Sequence, residues 1–147
     1  MACLGVSKKL GKGEVINERL NNYEKEGCEV IQFMYPSSKL QGRIDKKEVE
    51  KCNNKLLNVV SHCRYTNTLT KPFDHTRKWV ITDILRDQEF NHLLSKDKNY
   101  KDYPKAVIHI GKDYGNILEN VVDHCRRYIE VSKKNFNYYP QLLFENE

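Results

Sequence analysis

The sequence predicts an α/β fold: one domain over residues 1–147, with a mainly parallel or mixed sheet of four to five strands and helices on both faces. Three observations carry this expectation. Helix-like and strand-like apolar blocks alternate almost from end to end. The 147 residues suffice for one core and fall short of two. A balance of 39% apolar to 31% charged residues is that of a folded chain with a wet surface, which excludes disordered and membrane-embedded classes.

Taken in order, Ala2–Val6 is a short candidate strand. Glu14–Glu26 carries Ile16, Leu20 and Tyr23 at helical spacing, and Gly27 supplies the left-handed stop just past a helix. Cys28–Met34 is an apolar run closed by Tyr35-Pro36, which reads as a buried strand. Asp45-Lys46-Lys47-Glu48 has the pattern of a capping box. The helix it opens is expected to bear Val49, Cys52, Leu56, Val59, Val60 and Cys63 on one stripe. After Arg64 the pattern lapses, so residues 65–77 are expected to form a long functional or mobile loop.

Lys78–Ile84 resumes as a strand, and Asp87 then caps a short helix carrying Phe90, Leu93 and Leu94. A lysine-rich connection leads to Pro104, and Ala106–Ile110 is the next strand. Asn116-Ile117-Leu118-Glu119 is a second capping box, opening a helix with Ile117, Val121, Cys125, Tyr128 and Ile129 on one face. Residues 135–147 form the C-terminal strand and tail; Pro140 makes Tyr138–Phe144 an edge strand. Asn58–Arg64 (Asn-Val-Val-Ser-His-Cys-Arg) returns as Asn120–Arg126 (Asn-Val-Val-Asp-His-Cys-Arg). Either two core helices met similar packing demands, or a strand-helix unit was duplicated.

The first residues lack the apolar run of a secretory signal, so none is expected, and no window approaches eighteen apolar residues. Five cysteines without a Cys-x-x-Cys pair read as reduced core thiols rather than a disulfide framework. A cytoplasmic protein without membrane contact is expected. Twenty-five Lys+Arg against twenty Asp+Glu give a formal charge of +5. The basic residues are interleaved with acidic ones, which argues against duplex binding and for a small anionic ligand.

In an open parallel sheet, ligands bind outside the carboxyl ends of the strands. The leading candidate there is Gly111-Lys112-Asp113-Tyr114-Gly115-Asn116. Its glycines permit close backbone approach, the following helix presents free N–H groups, and Lys112 adds a charge, a combination suited to phosphate. An ordinary strand-to-helix turn is the competing explanation. Ser37, Ser38 and Lys39 join the same edge. The 65–77 loop mixes cations such as Arg77 with rings such as Tyr65, one set for phosphates and one for base stacking.

His109, His75 and Asp83 are the candidate acids and bases. A metal set of His62, Cys63, His124 and Cys125 is disfavoured, because consecutive helical residues point about 100° apart. No metal or cofactor is therefore expected. Together these features predict a domain that binds a nucleotide or short single-stranded RNA, with metal-independent processing of a phosphodiester as its chemistry. The alternative is a protein-interaction module, an inhibitor, adaptor or homodimer, using residues 136–147.

Overall fold

A computed structural model describes residues 5–9, 16–35, 46–52, 58–95, 105–135 and 141–145. Its elements are β1 (Gly5–Lys9), α1 (Ile16–Lys25), β2 (Val30–Met34), α2 (Lys46–Glu50), β3 (Asn58–His62), α3 (Lys78–Leu94), β4 (Lys105–His109), α4 (Ile117–Asn135) and β5 (Gln141–Glu145). The five strands form one sheet in the order β1-β2-β3-β4-β5, every pair parallel. A single α/β domain with a parallel sheet thus follows from the alternation in the sequence.

Strand residues alternate between the two faces of the sheet. Ile31, Phe33, Val59, Ser61, Ala106 and Ile108 are buried, whereas Gln32, Val60, His62 and Val107 on the other face keep partial access to solvent. The buried face meets two apolar clusters. One joins Ile16, Leu20 and Tyr23 of α1 and Val49 of α2 to Ile31, Phe33, Val59, Phe90 and Leu94. The other joins Val80, Ile81, Ile84 and Leu85 of α3 and Tyr128 of α4 to Ala106 and Ile108. Each Val, Leu, Ile or Phe among them contributes roughly 1.5–3 kcal/mol when fully buried.

Where the sequence expectation spreads helices over both faces, the four described helices all pack on this one. The strand order gives the reason. It never reverses, and right-handed crossovers that keep stepping in one direction place every helix on the same side.

Two expected elements have other forms. Lys78–Ile84 is not a strand but the first half of α3, and Asp87 lies inside that helix rather than capping one. The buried face of α3 includes Asp83, Asp87, Gln88 and Asn91 beside Val80, Ile84 and Leu94, so polar residues interrupt the apolar period that marks a helix. The expected helix through Cys63 ends early: α2 stops at Glu50, and Asn58–His62 is the strand β3. The recurring heptapeptide is therefore strand in its first copy and helix in its second, which removes the duplication reading.

The polar residues of α3 form a buried seam under the sheet. Tyr35 donates its hydroxyl to Asn91 Oδ1 at 2.9 Å, and Asn91 Nδ2 donates to Ser61 Oγ and the Lys105 carbonyl at 2.9 Å each. Tyr128 donates to Gln88 Oε1 at 2.6 Å. The described cysteines, Cys28, Cys52, Cys63 and Cys125, are free thiols, with Cys63 fully buried. No described helix is long and apolar enough to cross a membrane.

Candidate functional site

On the face that the described helices leave uncovered, four adjacent strands each contribute one polar residue to a cluster, three of them from a strand's carboxyl end and Gln32 from mid-strand. They are Gln32 of β2, His62 at the end of β3, His109 at the end of β4 and Glu145 at the end of β5. Register makes them neighbours: Glu145 pairs with His109, and His62 pairs with Val107, two residues before His109 on the same face. His62 Nε2 lies 2.8 Å from His109 Nε2. Glu145 Oε2 lies 3.1 Å from His109 Nδ1 and 3.4 Å from His62 Nε2. Gln32 Nε2 lies 2.7 Å from His62 Nδ1.

With the Gln32 amide in this orientation, the protons can be assigned. An amide NH2 group can only donate, so His62 Nδ1 accepts from Gln32 and carries its own proton on Nε2. That proton is donated to His109 Nε2, which leaves the His109 proton on Nδ1, the atom beside Glu145. Burial, and after it the neighbouring His109 ring, lowers the His62 pKa below its ordinary value against the opposing pull of Glu145. His109 is buried, whereas 43% of the Glu145 side chain is exposed, so solvent reaches the cluster mainly at Glu145.

Tyr65 lies over the outer side of the cluster. Its ring stacks on His109 with centroids 4.1 Å apart and planes 16° from parallel, while 67% of the residue stays exposed. It opens a 3₁₀ turn, Tyr65–Asn67, directly after β3. The turn is tied to α3 through Asp83: Asn67 Nδ2 donates to Asp83 Oδ2 at 3.1 Å, and the Arg64 guanidinium binds the same oxygen. Arg86 Nη2 approaches Asp83 Oδ1 at 3.1 Å. Asp83, expected at a strand end, lies buried in α3, where it ties the turn to that helix.

The remaining predicted residues divide between this edge and the rest of the chain. Gly111–Asn116 is an exposed loop between β4 and α4. Thr68 Oγ1 donates to the Ile110 carbonyl at 2.8 Å, and Asn120 Nδ2 donates to the Thr70 and Gly115 carbonyls at 2.7 and 3.0 Å. The loop is thereby held against residues 68–70, of which Leu69 and Thr70 are almost wholly buried. Gly115 N donates to Asp113 Oδ1 at 2.7 Å, Lys112 is exposed, and Lys71 Nζ stands 5.1 Å from the centre of the Tyr114 ring. Arg77 donates to the Thr68 carbonyl at 2.6 Å, which fixes the loop backbone. His75 begins a second 3₁₀ turn, His75–Arg77. Ser37, Ser38 and Lys39 lie outside the described residues.

Sequence reasoning did not find Gln32, His62 and Glu145 as site residues. For His62 a signal was available: the β-branched pair Val59-Val60 after Asn53-Asn54 favours a strand, and a strand would turn His62 to the face opposite Ser61.

Fold and cluster together define an α/β protein with two histidines and one carboxylate brought together at the carboxyl edge of a parallel sheet whose described helices share one face. No family model, curated protein or solved structure matches the chain.

Proposed function

We propose that this protein binds and processes a phosphate-bearing ligand, a nucleotide or a short single-stranded RNA, at the carboxyl edge of its sheet. The observation that carries the reading is the convergence of His62, His109 and Glu145 beside the stacked Tyr65. Phosphodiester cleavage requires an acceptor for the nucleophile's proton and positive charge for the phosphoryl oxygens. Glu145 is the carboxylate of the cluster, with His109 Nδ1 3.1 Å from its Oε2. Lys112 and Lys71 supply cations from the adjoining loops. Tyr65 and Tyr114 offer ring faces to a base, worth roughly 1–3 kcal/mol for each base stacked.

The test incubates the protein with a dinucleotide and with nucleoside triphosphates and follows products by chromatography. Cleavage should fall by about 10²-fold or more in Glu145→Gln, a loss typical of removing a general base. No cleavage by the wild type, or full activity in Glu145→Gln, would refute catalysis at this site.

A second reading, an interaction module or homodimer through residues 136–147, is favoured by one observation. β5 is an edge strand whose Leu143 and Phe144 are 41% and 47% exposed. Light scattering decides it. A dimer that Phe144→Lys disperses supports this reading, and a monomer at every concentration removes the homodimer.

A further inference from the structure

We infer that His62, His109 and Glu145 form a binding site for one divalent transition-metal ion, zinc or a chemically similar cation. The inference rests on the geometry of the cluster and holds whether or not the ligand is a phosphodiester. It departs from the metal-free chemistry expected from the sequence, which placed His62 on a helix.

The donor set supports it first. Two imidazoles and one carboxylate form a facial set that leaves other coordination positions open, and imidazole nitrogen favours zinc-like ions over magnesium or calcium. One ligand atom from each residue can be chosen so that all lie within 4.8 Å of one another. Zinc holds nitrogen and oxygen at about 2.0–2.2 Å, so two donors on one ion stand about 3.0–3.5 Å apart. His62 Nε2 is 2.8 Å from His109 Nε2 and 3.4 Å from Glu145 Oε2, so two of the three pairs are near that spacing. Glu145 Oε2 meets His109 at Nδ1, so the carboxylate must swing toward the two Nε2 atoms for all three residues to share one ion.

Glu145 supplies the second argument. Its Oε2 is a buried oxygen with no hydrogen bond among the described residues, although it stands close to both imidazole rings. Burying a carboxylate oxygen without a hydrogen bond is costly, and a cation between the three side chains removes that cost.

Gln32 supplies the third. To ligate through Nε2, His62 must carry its proton on Nδ1, the atom facing the Gln32 amide. An amide rotated end for end offers Oε1 in place of Nε2 at the same position, so Gln32 accepts that proton without backbone movement. Outer-shell acceptors of this kind orient metal-bound histidines. Metal binding thus exchanges one hydrogen-bonded state of the cluster for another, with the His62 ring shifting tautomer.

The experiment is calorimetric titration of the chelator-treated full chain with Zn(II), with Co(II) absorption spectra as a second readout and Mg(II) as a comparison. One Zn(II) should bind per chain, Co(II) should develop visible bands of nitrogen and oxygen ligation, and Mg(II) should bind far more weakly. Glu145→Gln, at a half-exposed position, should weaken Zn(II) binding at least tenfold. Gln32→Leu should weaken it about 10–100-fold, as loss of an outer-shell partner does. His62→Ala should remove it. Failure of Zn(II) to bind, or equal binding by wild type, Glu145→Gln and His62→Ala, would overturn the site.

The phosphate reading fails separately. Zn(II) uptake without turnover or binding of phosphate ligands supports the metal site and counts only against that reading. Full turnover in chelated protein, together with no Zn(II) uptake, does the reverse.

Discussion

Asp87 shows how one side chain links the core of this protein to pH. It sits within α3, almost wholly buried, with Arg86 Nη2 at 2.8 Å from Oδ1. Burial raises its pKa from 3.8 to about 7, because desolvation outweighs the lowering by Arg86, and Asp83 adds to the rise. In the unfolded chain the proton is lost near pH 4. Between about 4 and 7 the folded chain therefore holds a proton that the unfolded chain lacks. This contribution to stability is full below about pH 4 and declines as pH rises through 7. The slope is at most about 1.4 kcal/mol per pH unit. Asp87→Asn keeps the shape of the protonated acid and removes the titration. Urea unfolding at several pH values should show the variant gaining on the wild type between pH 4 and 7. Parallel profiles would contradict this assignment, and taking the difference cancels titrations common to both proteins, such as that of His62.

At the scale of elements, the junction between β4 and α4 depends on the absence of a side chain at one position. Gly111 has φ +97°, and a Cβ there would collide with Thr68 Oγ1, the group that donates to the Ile110 carbonyl. Gly27 has a similar φ of +80° but opens onto free space. Gly27→Ala should cost about 1–2 kcal/mol, the penalty of left-handed backbone alone. Gly111→Ala should cost roughly 3 kcal/mol, because overpacking adds to that penalty. Thermal and denaturant unfolding of the two variants measures the difference; equal losses would show that the loops at residues 68–70 and 111–116 are not packed together.

The same scale explains which elements were legible. α1 and β2 were readable because Ile16, Leu20 and Tyr23 repeat at a helical period, and because Ile31 and Phe33 lie in a short apolar run. α3 was not, since its buried positions include Asp83, Asp87, Gln88 and Asn91, which look like surface residues until their buried partners are known. β3 was hidden because Asn58–His62 extends an apolar stripe that begins in α2. Its near copy in α4 shows that the heptapeptide does not choose its own conformation; tertiary contacts do.

For the whole molecule, the one-sided layering makes the site. The described helices on a single face bury Ile31, Val59 and Ala106, and the opposite face holds His62, His109 and Glu145 at its carboxyl edge with Gln32 beside His62. His109 was legible as a candidate from its strand position alone. Its partners come from strands far apart in sequence, and only strand order and register bring them together.

The central claim is that these residues meet in one cluster, hydrogen-bonded from Gln32 through His62 to His109, and nitrogen-15 NMR of the two imidazoles in metal-free protein tests it most directly. His62 should be protonated on Nε2 and His109 on Nδ1, with a scalar coupling across the hydrogen bond that joins the two Nε2 atoms. Two rings that each average freely between tautomers, with no coupling between them, would contradict it.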